Sequence, residues 1–115
     1  MSAEYRMALF ARRREAKEIL RRMKARHPAA FPTQPLPLKV GIRDDLIAAG
    51  WDEREVGVAL DFYTLSDRYL RSTYVPGAYR IDLNGCPVAP VQDHEADWAR
   101  DKERSVLSSP LWGAR

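Results

Sequence analysis

The chain has 115 residues and a formal net charge of +3, with 45% hydrophobic and 30% charged residues; that length suits one domain and that composition excludes wholesale disorder. No apolar run approaches the roughly 18 residues that span a bilayer, and arginines stand where a signal peptide would need its apolar stretch, so a cytoplasmic protein without membrane contact is expected. Cys86 is the only cysteine, which excludes an intramolecular disulfide and a zinc site built on paired thiolates; neither metal nor cofactor is expected.

The charge is lopsided. Met1 to His27 hold nine Lys/Arg and three Asp/Glu, whereas the remainder holds ten and thirteen. From about Ala3 to Arg26 no Gly or Pro interrupts the chain, and Tyr5, Leu9, Ala16, Ile19, Leu20 and Met23 recur at helical spacing, predicting one long helix that stops at His27-Pro28. Arg12 and Arg13 break the apolar stripe. Residues 1–14 are therefore expected to form a basic helical extension, residues 15–107 the domain, and residues 108–115 a flexible tail.

Four prolines between Pro28 and Leu38 predict an extended connection. Leu38, Val40, Ile42, Leu46 and Ile47 suit a short helix from Leu38 to Ala49, with Gly50 at its end. Asp52 followed by Glu55 is a capping-box pattern opening a third helix near Glu53, whose apolar stripe is Val56, Ala59, Leu60 and Tyr63. Thr64-Leu65-Ser66-Asp67 repeats the capping logic, with Thr64 as the cap of a fourth helix over about Leu65 to Ser72.

Pro76-Gly77 ends that helix. Tyr79-Arg80-Ile81-Asp82-Leu83 alternates before Asn84-Gly85, which predicts a β-hairpin with a two-residue turn. Alternation puts Tyr79, Ile81 and Leu83 on one face and aims Arg80 away from the core. A last helix is expected from Gln92 to Leu107. The fold class is thus mostly α with a small β-hairpin, with about five helices.

Pro37-Leu38-Lys39-Val40-Gly41-Ile42, then Tyr63-Thr64-Leu65-Ser66-Asp67-Arg68-Tyr69-Leu70, then Pro76-Gly77-Ala78-Tyr79-Arg80-Ile81-Asp82-Leu83-Asn84-Gly85 closely resemble the ProQ/FinO domain in order and spacing. The likeness runs from about Glu15 to Glu103. It implies a non-enzymatic RNA-binding domain acting in small-RNA regulation or RNA chaperoning. The implied partner is a terminator-like stem-loop with a single-stranded 3′ tail, with no small-molecule substrate, and the protein is expected to be a monomer. Carried over position by position, the implied RNA contacts are Lys39, Thr64, Ser66, Arg68, Tyr69 and Arg80. Members often carry basic residues on the third helix where this chain has Glu53, Gly57 and Asp61, which implies fewer stem contacts, with Arg54 and the arginines of the first helix as compensation.

Elementary chemistry is compatible with those roles. A helix N-terminus offers free amides to an anion. Arginine binds phosphate bidentately, and tyrosine stacks on a splayed base. Each residue also has a plain structural reading: the arginine run as a solvated helix face, Tyr69 as a half-buried aromatic, and Thr64 and Ser66 as ordinary caps. For Lys39 and Arg80 it is surface charge, with Arg80 paired to Asp82 or Asp67. Trp51 and Trp98 suit packing roles, and Cys86 lacks any Cys-His signature. Asp44-Asp45 and Asp93-x-Glu95 are assigned to solvent because neighbouring helical carboxylates diverge. The rival reading is a protein-interaction module in which the first helix and Trp112 engage a partner.

Overall fold

The computed structural model describes residues 2–107. Its elements in chain order are α1 (Ala3–Arg26), α2 (Ile42–Ala48), α3 (Glu53–Thr64), α4 (Asp67–Thr73), β1 (Tyr79–Ile81), β2 (Pro87–Pro90) and α5 (Asp93–Leu107). The mostly helical class with one small hairpin is as expected. The tail 108–115, with Trp112, lies outside the described residues.

Helix α1 begins where the Ser2 hydroxyl accepts from the Tyr5 amide at 3.1 Å. Its buried residues are Ala16, Ile19, Leu20 and Met23, one stripe at the i, i+3, i+4, i+7 spacing. That stripe packs on α3, whose buried face includes Val56, Ala59, Leu60 and Tyr63. Asp52 caps α3 by accepting from the Glu55 amide at 3.0 Å. Phe31 and Leu38 of the proline-rich connection, Leu46 of α2, Trp51, Tyr69 and Ile81 complete the main core. A smaller cluster of Leu70, Ala99 and Val106 joins α4 to α5. Beside it the buried Glu103 carboxylate accepts from the Tyr74 hydroxyl at 2.6 Å and from Arg71 Nε at 3.0 Å.

Several expectations are corrected. The second helix starts at Ile42 rather than Leu38, because Leu38 forms a parallel bridge with Ile81 instead. The Ile81 amide donates to the Pro37 carbonyl and the Lys39 amide to the Ile81 carbonyl, at 2.9 and 2.8 Å, so Pro37 to Lys39 runs as an extended strap along β1. Val40, expected on an apolar helix face, is exposed.

The turn of the hairpin spans Asp82 to Cys86 rather than two residues. The Asp82 carboxylate accepts from the amides of Asn84 and Cys86, both at 2.9 Å, and Gly85 adopts φ +79°, the left-handed conformation that glycine enters without steric cost. Arg80 points inward: its side chain is only 14% exposed, because the face opposite Ile81 is covered by the start of α5 and not by water. Tyr79, at the open end of the strand opposite Pro90, is 51% exposed. Trp98 is also exposed, because α5 turns Ala99, Glu103 and Val106 inward and leaves Trp98 off that stripe.

Candidate functional site

The strap and the hairpin bring together residues more than thirty positions apart. Tyr69, on the buried side of α4, accepts at its hydroxyl from the Leu38 amide at 2.9 Å. Arg80 donates from Nη1 to the Leu38 carbonyl at 2.9 Å and from Nη2 to Glu95 at 3.1 Å. Burial pushes the Tyr69 hydroxyl above its ordinary pKa, with the Leu38 amide acting against that shift. Glu95 is held below the carboxylate range, first by the Gln92 amide that donates to it and also by Arg80. Its expected assignment to solvent is therefore corrected. Gln92 and Glu95 form a capping-box spacing that was readable in the sequence; their contact with the hairpin was not.

Lys39 follows Leu38 on the strap, and its ammonium meets Asp45 of α2 at 2.9 Å. That contact raises the Lys39 pKa and makes Asp45 a half-buried ion-pair partner rather than a solvated carboxylate. Lys39 retains 39% of its side-chain exposure.

Ser66, not Thr64, caps α4. The Ser66 hydroxyl accepts from the Tyr69 amide at 3.3 Å and donates to the Tyr63 carbonyl at 2.7 Å. Thr64 is the last residue of α3, and its hydroxyl donates back to the Leu60 carbonyl at 2.8 Å. Both hydroxyls suit a cap by type; because α3 runs through Thr64, Ser66 is the one that serves. Arg68, exposed on the first turn of α4, donates to the Thr33 carbonyl at 2.8 Å.

Ser66 and Arg68 border a cleft shared with Lys24, Thr33, Pro35 and Tyr63. The Lys24 ammonium lies 5.9 Å from the centre of the Tyr63 ring. The Tyr63 hydroxyl is buried without a hydrogen-bond partner among the described residues, and burial pushes its pKa up to about 12. The cleft therefore has two cations and the Asp67 carboxylate at its rim and a neutral phenol in its wall. In the sequence Tyr63 stands on the α3 stripe and at the head of the second motif, with no role of its own attached.

The arginines of the first two helices are partly engaged by the acids of α3. Arg12 reaches Asp61 at 3.9 Å, Arg22 meets Glu55 at 2.8 Å, and Arg43 meets Glu53 at 3.6 Å. Arg54 turns back to Glu15 at 2.7 Å. The α1–α3 face is thus a lattice of opposite charges, and its local field is weaker than the count of arginines suggests.

A family model described as the ProQ/FINO family matches residues 13–109. The chain is 36% identical over 92 residues to the RNA chaperone ProQ of Pseudoalteromonas atlantica, a match covering 74% of this chain and 42% of that protein. It therefore spans about two fifths of the length of that curated relative. The solution structure of a ProQ homolog from Legionella pneumophila is similar with a TM-score of 0.66 and 27% identity, over 79% of this chain and 82% of that one. The crystal structure of a FinO-like RNA chaperone from Neisseria meningitidis is similar with a TM-score of 0.64 and 25% identity, over 85% and 96% of the two chains.

Proposed function

The chain belongs to the ProQ/FinO family, and from that premise we propose that it binds structured RNA, gripping the lower stem of a terminator-like hairpin and its single-stranded 3′ tail. The observation that carries this reading is the family match over residues 13–109, which takes in every proposed contact. In this reading the protein is a non-enzymatic cytoplasmic factor in small-RNA regulation or RNA chaperoning.

Lys39, Ser66 and Arg68 are the contacting groups, because each presents a polar or cationic side chain at the surface or at the rim of the cleft. Thr64, Tyr69 and Arg80 complete the site from behind. Thr64 closes α3, while Tyr69 and Arg80 hold the strap on which Lys39 stands. A terminal phosphodiester between Lys24 and Arg68 meets two cations, with the Asp67 carboxylate also on the rim. Stem recognition runs through the backbone and the shape of the duplex, so sequence preference in the stem is weak.

The test is the affinity of the chain at about 150 mM salt for a stem-loop with a 3′ uridine tail, against the same RNA with its 3′ hydroxyl blocked or its tail removed. Preference for the free tail, with log affinity falling linearly against log salt, is the expected outcome. Equal binding of all three RNAs would remove the 3′-end site, and no binding would leave a protein-interaction module.

A further inference from the structure

Beside the cleft of Ser66 and Arg68 lies a second depression of about 380 Å³, between the proline-rich connection, the end of α4 and the start of β1. Leu36, Val75 and Tyr79, all large apolar side chains, border it and are 44%, 53% and 51% exposed. Gathered in one groove, these side chains offer a ligand a continuous apolar surface, which the same residues scattered singly would not. Pro35 and Pro37 stiffen one wall, and Pro37 is fully buried against the body of the domain. The groove therefore exists before any ligand arrives.

Its rim is cationic. Arg68 borders both this groove and the neighbouring cleft, so the two depressions are successive stretches of one surface. Arg71 also borders the groove; its Nε is held by Glu103 at 3.0 Å while the side chain stays 56% exposed. Gln34 adds an amide that can both donate and accept. An apolar slot with an exposed tyrosine ring, flanked by two guanidinium groups and one amide, matches an unpaired nucleotide: the base has apolar faces and a polar edge, and its phosphates are anionic.

We infer that this groove receives an unpaired base of the RNA's single-stranded tail, stacked against Tyr79, with the adjoining phosphates on Arg68 and Arg71. This rests on the RNA-binding reading above and adds to it a site for the tail beyond the 3′ terminus. Selection among bases is weak, because stacking accepts any π-face and a single amide reads the edge.

The experiment measures binding of the full chain and of its Tyr79→Ala and Val75→Glu variants to two RNAs: a stem-loop with a 3′ tail of unpaired uridines, and the same stem-loop ending at its last base pair. Both side chains are exposed, and unchanged thermal unfolding confirms that the variants remain folded. Tyr79→Ala is expected to weaken the tailed RNA about tenfold, the scale of one lost base stack, and to leave the tail-less RNA unchanged. Val75→Glu, which sets a carboxylate in the path of the phosphates, is expected to have the same selective effect. Equal losses on both RNAs, or none on either while the unaltered chain still binds, would overturn the groove and leave the RNA-binding reading standing. Failure of the unaltered chain to bind either RNA would defeat that reading, and the groove with it.

Discussion

Tyr69 and Arg80 divide the main chain of Leu38 between them: the tyrosine hydroxyl accepts its N–H and the arginine guanidinium donates to its C=O, each at 2.9 Å. Neither group is available from β1, which bonds instead to Pro37 and Lys39 on either side. The two side chains thus complete the pairing of the strap on the side away from β1, and they fix the position from which Lys39 projects.

Tyr69→Phe removes the acceptor and leaves the Leu38 amide buried and unpaired, a loss of about 1–3 kcal/mol in folding stability. Arg80→Ala leaves the Leu38 carbonyl and Glu95 without that donor and is expected to cost a similar amount. Urea unfolding of the two single variants and the double variant checks this. Because both act on one peptide unit, the double loss is expected to depart from the sum of the singles. A Tyr69→Phe variant as stable as the parent would show that the clamp contributes nothing. Any fall in RNA affinity in these variants has to be compared at equal folded fraction.

Asp61 and Glu53 hold Arg12 and Arg43 in long, exposed pairs, of the kind that contributes only ~0–1 kcal/mol to stability. Asp61→Asn with Glu53→Gln is therefore expected to leave unfolding nearly unchanged. It removes two negative charges from the α1–α3 face and frees two arginines. If the RNA stem lies on that face, affinity rises and the slope of log affinity against log salt steepens by about one for each arginine recruited. Unaltered affinity and slope would place the stem elsewhere.

Local rules made much of this fold legible. The α1 stripe, the Asp52–Glu55 capping box and the proline-rich connection each follow from spacing or from the restricted backbone of one residue type. What escaped the sequence is non-local. The bridge from Leu38 to Ile81 joins segments with no shared periodicity, so Leu38 counted as the start of a helix. Alternation correctly set Arg80 opposite Ile81, but alternation carries no information about whether water or α5 covers the second face. Thr64 suits a cap by residue type, but α3 runs through it and Ser66 takes that place. In the candidate site, Arg68 is exposed on α4, whereas Tyr69 and Arg80 bond to the Leu38 backbone, a contact that no linear pattern carries.

Two glycines separate space from conformation. At Gly85, φ is +79° and a Cβ would stand 3.1 Å from the Ala29 carbonyl oxygen and 3.2 Å from the Ala29 Cβ; Gly85→Ala is expected to cost about 1–2 kcal/mol from the left-handed backbone alone, plus displacement of the hairpin tip from the loop after α1. Gly57 lies inside α3, and its Cβ would meet nothing closer than the Arg43 guanidinium at 3.9 Å. Gly57→Ala is expected to stabilise by about 0.5–1 kcal/mol through helix propensity. Urea midpoints moving in opposite directions would bear this out; a stabilised Gly85→Ala would contradict the packing of the tip.

His27 makes stability depend on pH. At the end of α1, its Nε2 accepts from the Trp51 indole N–H at 2.9 Å, so the ring must be neutral to keep that bond. Arg26 and Arg22 lie 4.8 and 5.9 Å from the Trp51 ring centre, and Asp52 and Glu55 are the acids of the neighbouring α3 end. Burial first, and then the Arg26 charge, hold the His27 pKa below its ordinary value. The unfolded chain takes up the proton near pH ~6.5, before the folded chain does. Stability from this contact is therefore complete above that pH and is lost as pH falls through the window down to the folded pKa, below which it levels off. His27→Gln keeps an acceptor for the indole and cannot titrate. Urea midpoints of the parent and His27→Gln proteins, compared between about pH 7.5 and 5, are expected to converge in slope above ~6.5 and to separate below it, with the parent declining more steeply. Parallel curves across the whole range would show that the proton goes elsewhere.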